Sequence, residues 1–321
     1  MQSNKNINCC GPSRTESTQP TVTRSKIRTS SSKSKMKLIQ EGTFRMGTNY
    51  SHGFPSDGEG PIREVEVNTF YMDQTAVTNA QFAKFIRETK YKTDAEKYGW
   101  SFVFHLFLPD SLKSSANEFP QATPWWRKVS GSSWKHPEGP PSNVKSRMNH
   151  PVTHVSWNDA MEYCNWSGKR LPTEAEWEFA ARGGLEQKLY PWGDELTPKG
   201  IPQCNIWEGK FPTENIEVDG YSSTAPAKHY KPNNYDLYNM VGNVWEWQND
   251  WFSPTHHLKK ADDSVTINPI GPTTGMTKTI KGGSYLCHES YCNRYRIAAR
   301  SSNTPDSSTG NLGFRCVSDP V

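Results

Sequence analysis

Two cysteines raise the first chemical question in this chain. Cys287 and Cys292 lie five positions apart in K-G-G-S-Y-L-C-H-E-S-Y-C-N-R-Y-R, residues 281–296, between a Gly-Gly-Ser turn and a run of Arg and Tyr. A spacing of five does not put two side chains on one helix face, and along a straight strand it points them to opposite faces. The thiols meet only if His288 to Tyr291 form a turn, and Gly282 and Gly283 supply permissive backbone just upstream. Thiols brought together in this way make either a short-loop disulfide or a two-sulfur site for a soft metal ion. The alternative is two unrelated buried cysteines. His288 offers an acid or base in the same turn, with a structural hydrogen-bonding role as the other reading.

The scaffold that must position these residues is bounded by composition. The 321 residues suffice for one large domain or two small ones. A mean hydropathy of -0.82, with no apolar run of spanning length, excludes a membrane-spanning protein. Twelve Trp, 13 Tyr and 13 Phe among 23 Gly and 23 Pro point to a loop-rich fold packed by aromatic slabs. The net charge of +4 is carried by one end: residues 1–36 hold seven Lys/Arg and one acid, Glu16. That leaves 30 basic and 32 acidic residues for the remainder, which gives no case for nucleic-acid binding. The seven cysteines, at 9, 10, 164, 204, 287, 292 and 316, are too sparse for a disulfide-stapled scaffold and form no C-x-x-C pairs for structural zinc. Residues 1–36 lack the apolar core of a secretory signal, so the chain reads as cytoplasmic.

Residues 1–36 read as a disordered basic tail, with Cys9-Cys10 either a redox handle or an incidental exposed pair. Residues 37–321 read as a single domain without internal repeats. Strands are expected at Leu38 to Met46 and Glu64 to Tyr71, separated by a Gly/Asp/Pro loop from Ser51 to Pro61. Thr78 with Gln81 caps a helix that buries Phe82, Phe85 and Ile86. Tyr91 to Arg147 reads as a long irregular stretch whose Trp100, Trp125, Trp126 and Trp134 line a groove. A short strand is expected at Val152 to Val155. Two further helices follow, capped by Ser156 with Asp159 and by Thr173 with Glu176, ending at Gly168 and Gly183. Tyr190 to Gly242 is again loop-rich, and V-G-N-V-W-E-W-Q-N-D-W, residues 241–251, is too aromatic for a solvated loop.

Several segments together resemble the formylglycine-generating enzyme, or sulfatase-modifying factor, family. They are G-T-F-R-M-G at 42–47, V-S-W-N-D-A-M-E-Y-C-N-W-S-G-K-R-L-P-T-E-A-E-W-E at 155–178, and G-N-V-W-E-W at 242–247. G-G-S-Y-L-C-H-E-S-Y-C-N-R-Y-R at 282–296 and N-T-P-D-S-S-T-G-N-L-G-F-R-C at 303–316 complete the set, so the resemblance spans 37–319. The T-E-A-E-W, G-N-x-W-E-W and G-G-S-Y segments mark the wider superfamily and speak for fold. The paired cysteines speak for activity, because the catalytically silent branch lacks them. One departure is Glu289, where a basic residue is expected.

The resemblance implies an irregular α+β fold related to C-type lectin domains. It implies an oxidoreductase that converts a cysteine within a C-x-P-x-R segment of unfolded or nascent sulfatases to Cα-formylglycine, using dioxygen and a thiol reductant. By the same resemblance Cys287 and Cys292 hold copper(I), Ser284 is the hydrogen-bonding residue beside the oxygen site, and Tyr291 and Trp245 wall the site. Structural calcium is implied at two places. One takes the side chains of Asn205 and Asp219 with the carbonyls of Ile206 and Tyr221; the other takes Asn239 and Glu246 with the carbonyls of Gly242 and Val244. Cys164 and Cys316 match the partners of a family disulfide, while a second would need cysteines at Ala181 and Ile297. The protein is expected to be a monomer, with no nucleic-acid or membrane partner. The alternative function is a lectin-like peptide- or glycan-binding module in which Cys287 and Cys292 form a static disulfide. An iron-dependent sulfoxide-forming relative would need three clustered histidines, and the sequence shows no close H-x-x-x-H pairing.

Overall fold

The computed structural model describes residues 11–14, 33–259 and 264–320. Its strands are short and distributed over five small sheets. β1 (Met36–Ile39), β4 (Phe70–Asp73) and β14 (Val317–Ser318) form one, in the order β1-β4-β14. β2 (Gly42–Met46) and β3 (Arg63–Val67) pair antiparallel, with β10 (Thr266–Ile267) added parallel to β3. The segments expected as single strands at 38–46 and 64–71 are thus each split between two sheets.

Three helices carry the caps expected of them. α1 (Asn79–Thr89), α4 (Trp157–Ser167) and α5 (Glu174–Arg182) each start with a reciprocal capping box, from Thr78/Gln81, Ser156/Asp159 and Thr173/Glu176. Phe82 and Phe85 of α1 are buried and Ile86 is packed against the same core. The stretch from Tyr91 to Arg147 is less irregular than expected. It holds α2 (Asp94–Tyr98), α3 (Asp110–Lys113) and an antiparallel pair, β5 (Trp100–Phe104) with β6 (Trp126–Ser130). The strand expected at 152–155 is absent: Val152 and Val155 are buried, but the ladder reduces to one bridge between Thr78 and Pro151. The hairpin β7 (Gly209–Lys210) and β8 (Glu214–Asn215) leads on to the largest sheet, ordered β12-β11-β9-β13. Its strands are β9 (Trp245–Trp251), β11 (Lys278–Lys281), β12 (Arg300–Asn303) and β13 (Leu312–Gly313). Among the described residues no helix is long and apolar enough to cross a membrane.

α5 holds this sheet through charge. All nine of its residues are buried, so Glu174, Glu178 and Arg182 must find partners inside. Glu178 faces Lys281 Nζ at 3.1 Å and Arg182 at 2.7 Å, and accepts the Gly47 N–H at 2.8 Å. Burial pushes its carboxyl upward, but Lys281, Arg182 and that N–H outweigh burial and bring it down to about 2. Glu174 pairs with Arg300 at 2.7 Å and stands 3.8 Å from Lys281. Lys281 ends β11 and Arg300 begins β12, so one helix grips both ends of the connection between them.

Glu178→Gln should therefore cost about 3–5 kcal/mol, because it takes the nearer carboxylate from the buried Lys281 ammonium and the paired charge from the buried Arg182. A fall in the urea midpoint with unchanged slope is the expected reading. The depressed Glu178 carboxyl contributes stability above its ordinary 4.5 that is lost as pH falls toward about 2. The acid-side loss of stability should accordingly be shallower in the variant.

Candidate active site

The connection from Gly282 to Ala299 has no strand or helix of its own. It leaves β11 through two glycines at positive φ, +92° and +73°. A Cβ on Gly283 would stand 2.9 Å from the backbone N and Cα of Tyr295, so only glycine lets the two limbs of the loop touch. His288 to Tyr291 form the expected turn, with the Tyr291 N–H donated to the His288 carbonyl at 3.0 Å. The turn brings the Cys287 and Cys292 Sγ atoms to 3.1 Å, and both residues are buried, at 2% and 1% exposure. That separation is about 1 Å beyond a disulfide bond. No disulfide joins the two cysteines; their sulfurs are in contact.

Ser284 lies at the base of the pair, its Oγ 4.0 Å from Cys287 Sγ. This oxygen accepts from Asn311 Nδ2 at 3.0 Å and from the Leu286 N–H at 3.3 Å, which leaves its own proton to be donated toward the sulfur or the cavity. A small cavity opens on the thiols, walled by Trp125, Trp126, Phe211 and Tyr291 with Ser284 and Asn311 beneath. Tyr291 stacks on Phe211 with centroids 4.5 Å apart and meets Trp125 edge-on at 4.8 Å. Of the expected aromatic walls, Tyr291 takes that place, whereas Trp245 is buried in the main core and is not among the residues that line the cavity. His288 is turned to Ser290, Nδ1 to Oγ 2.8 Å, and Glu289 is exposed on the turn. A larger cavity of about 480 Å³, bounded by Arg63, Glu174, Trp251 and Ile270, contains no thiol and is separate from this chemistry.

The far limb of the loop is pinned to the Ser51 to Pro61 loop. Arg294 pairs with Asp57 and lies 3.6 Å over the Phe54 ring, while Arg296 grips Glu59 through both guanidinium nitrogens, one at 2.7 Å. Burial pushes the Asp57 carboxyl upward against the pull of Arg294. Arg294 Nη1 also reaches to 3.8 Å from Cys292 Sγ, placing a cation beside the thiolate form. Sequence reasoning passes over Asp57, Glu59, Phe211 and Asn311. Asp57, Glu59 and Phe211 are common residue types far along the chain from the cysteines, with no local pattern to mark them; Asn311 lies within the 303–316 segment, where nothing sets it apart from its neighbours.

The residues expected to hold calcium fall into two sets with different standing. Asn205 Oδ1 and Asp219 Oδ2 are both buried oxygens without a hydrogen-bond partner. Burial raises Asp219 to about 6. In the second set Asn239 Oδ1 is similarly unpartnered, but Glu246 is already neutralised. Arg315 donates to both its oxygens at 2.7 Å, and Trp177 Nε1 adds a third bond at 2.8 Å. Among the described residues no three His, Cys, Asp or Glu side chains converge as a metal site. Cys164 and Cys316 are buried with Sγ atoms 3.6 Å apart and are not bonded; Ala181 and Ile297 are both fully buried. Cys204 is a buried thiol whose pKa burial raises.

The model of the sulfatase-modifying factor enzyme 1-like domain matches residues 21–320. The chain is 56% identical over 286 residues to the formylglycine-generating enzyme of Thermomonospora curvata, covering 89% of this chain and 94% of that one. It is 54% identical over 285 residues to the formylglycine-generating enzyme of Mus musculus, covering 89% and 75%. It is also 44% identical over 286 residues to the inactive C-alpha-formylglycine-generating enzyme 2 of Bos taurus, covering 88% and 87%. Among solved structures PvdO from Pseudomonas aeruginosa superposes with a TM-score of 0.63 at 22% identity, over 89% of this chain and 94% of that one, a likeness of fold alone. The irregular α+β architecture and a sequence match over almost its whole length agree: the chain belongs to the sulfatase-modifying factor enzyme 1-like family.

Proposed function

We propose that this chain oxidises a cysteine within a C-x-P-x-R segment of unfolded or nascent sulfatases to Cα-formylglycine, with dioxygen as oxidant and a thiol as reductant. The observation that carries the reading is the contact of the Cys287 and Cys292 sulfurs, 3.1 Å apart at the end of an aromatic-walled cavity. Family membership alone does not decide it, since relatives named as active and as inactive both match over most of the chain.

The donor set fits copper(I): two soft sulfurs, with a cavity beside them rather than further protein ligands. When bound, such an ion supplies the one-electron chemistry that triplet dioxygen requires before it reacts with a thiol. The chain's own residues do the rest. Cys287 and Cys292 would hold the ion, and the cavity beside them would admit the substrate sulfur. Trp125, Phe211 and Tyr291 exclude water from that side. Ser284, fixed by Asn311 and the Leu286 N–H, presents a hydroxyl proton there. In balance, a cysteine side chain, dioxygen and two reducing thiols become an aldehyde, hydrogen sulfide, water and a disulfide.

Calcium fits the first of its two sets. Two unpartnered buried oxygens, Asn205 Oδ1 and Asp219 Oδ2, are what a hard cation would satisfy, and the family resemblance adds the carbonyls of Ile206 and Tyr221 as further donors. The second set offers only Asn239 Oδ1, because Glu246 is committed to Arg315, and the proposal is confined to the first.

A C-x-P-x-R peptide incubated with the copper-loaded protein, a thiol and dioxygen should exchange one sulfur for an aldehyde oxygen; an unchanged peptide mass under full copper loading would favour the binding-module alternative. Cys292→Ser should lower that conversion by about 10³-fold or more with the fold intact, since the two thiols act as a unit. Ser284→Ala should lower kcat by about 10²-fold, the cost of one positioned donor. For calcium, the sign follows from the raised carboxyl. Without the cation, Asp219 favours the native state below the ordinary aspartate range and loses that contribution as pH rises toward about 6. The gain in Tm on adding calcium should therefore grow with pH across this window. Asp219→Ala should abolish the gain, worth about 2–4 °C per kcal/mol in a domain of this size.

A further inference from the structure

The chain contains its own copy of the substrate pattern. Residues 10–14 read C-G-P-S-R, a C-x-P-x-R segment inside the stretch expected to be a disordered tail. Cys10, like Cys9, lies outside the described residues, but Gly11 to Arg14 are seated on the domain, so the expectation of disorder fails for those four.

Their seat is the segment from Asn303 to Thr309, almost three hundred residues downstream, together with the start of β5. Asn303 reads the backbone and Ser13: its Nδ2 donates to the Pro12 carbonyl at 3.2 Å and its Oδ1 accepts from Ser13 Oγ at 2.7 Å. Arg14 is only 4% exposed. Its N–H donates to Ser307 Oγ at 2.7 Å and its Nε to the Asp306 carbonyl at 3.0 Å. Nη2 donates to the Trp100 carbonyl at 2.8 Å and to Ser308 Oγ at 2.9 Å. The guanidinium lies 3.9 Å from the Trp100 ring centroid and 4.5 Å from that of Tyr98. Asp94, Asp159 and Asp306 supply the surrounding negative field. A fork of donors, two π faces and an acidic surround form a site built for arginine.

The seat also leads to the thiols. Gly11 lies against Thr309, where a Cβ would be 3.4 Å from Cγ2. Thr309 Oγ1 donates to Asn311 Oδ1 at 2.7 Å, and Asn311 Nδ2 donates to Ser284 Oγ beside Cys287. The docked segment therefore runs with arginine remote from this hydrogen-bonded row and its glycine end upon it, and the next residue toward the N-terminus is Cys10.

We propose that residues 10–14 are a substrate in cis: Pro12 and Arg14 occupy the recognition groove, and Cys10 is oxidised to formylglycine by the Cys287–Cys292 site of the same chain. This rests on the activity proposed above and uses its balance: Cys10 and dioxygen with two reducing thiols become the aldehyde, hydrogen sulfide, water and a disulfide, the two thiols supplying two electrons and two protons. Tethering makes the segment a competitor of external peptide, because its effective concentration is of order millimolar.

The test uses the full-length, copper-loaded protein with dioxygen and thiol, reading residue 10 by peptide mass and an aldehyde-reactive hydroxylamine. In parallel, an external C-x-P-x-R peptide is assayed. The wild type should carry the aldehyde at residue 10, and Cys292→Ser should not. Arg14→Ala should lose the aldehyde while lowering the KM for external peptide about tenfold at unchanged kcat. Cys10→Ser, which keeps the arginine seated, should hold KM near that of the wild type. A residue 10 that stays a thiol while external peptide is converted overturns the cis proposal and leaves the activity standing; so does a KM indifferent to Arg14→Ala. If neither cysteine is converted, the activity itself falls, and the cis proposal with it.

Discussion

The site depends on buried ion pairs that hold an irregular loop at both ends and in the middle. Lys281 and Arg300 bracket the loop and share Glu174, while Arg294 and Arg296 fix its far limb to Asp57 and Glu59. Strand pairing holds backbone by a repeated ladder, and this loop has none to use. Charges paired in a low-dielectric interior fix direction as well as distance, because a guanidinium meets a carboxylate in one plane. The net stability of such pairs is small once desolvation is counted, but a broken partner is costly. The pairs therefore discriminate strongly against other loop conformations. That is what two thiols at contact distance require, since a displacement of 1 Å would separate them.

The same arrangement divides the work of the site. The thiols, Ser284 and Asn311 lie under an aromatic wall contributed by β6, the Phe211 turn and the active loop itself. Polar contacts to Pro12, Ser13 and Arg14 lie elsewhere, on the Asn303 to Thr309 segment, where backbone carbonyls and hydroxyls converge with the Trp100 and Tyr98 rings. Phe102, Phe104 and Trp126 join these regions by packing with Tyr285 and Leu286 of the loop. An apolar chamber suits the oxygen chemistry proposed for the sulfurs, and a hydrogen-bonding groove suits the extended segment proposed as substrate. A single cavity would serve neither well.

What was legible in the sequence was local. Each of the three capping boxes involves residues three positions apart, and all three formed. The Gly-Gly entry and the turn joining Cys287 to Cys292 are similarly written within a few residues. The long-range pairs were not legible: Asp57 with Arg294 and Glu59 with Arg296 are each 237 residues apart, and nothing in either segment names the other. β5 and β6 were hidden because β5 is buried on both faces: Trp100, Phe102 and Phe104 share one, while Ser101 and Val103 are buried on the other, so the strand is not the half-buried kind that a polar/apolar alternation marks. Val152 to Val155 misled in the opposite sense, being apolar enough for a strand but buried without one. In the tail, composition averaged over 36 residues concealed a four-residue stretch whose pattern is specific.

Buried oxygens without partners show how the fold manages the lack of regular structure elsewhere. Glu246 is satisfied from within, by a guanidinium and an indole N–H that come from distant segments of the chain. Asp219 has no such internal cation, and its carboxyl rises to about 6 as a result. Two acidic residues in one loop-rich domain thus meet the same problem of desolvation; the chain supplies a cation to Glu246 but a backbone N–H, from Tyr221, to Asp219. A loop that ends on an internal arginine is fixed at any ion concentration, whereas the proposed calcium site would add to the chain's own hydrogen bonds at Asp219 and Asn205 only where the cation is supplied. On that proposal, the rigidity of the region around Asn205 would depend on solution conditions in a way that the ion-paired active loop does not.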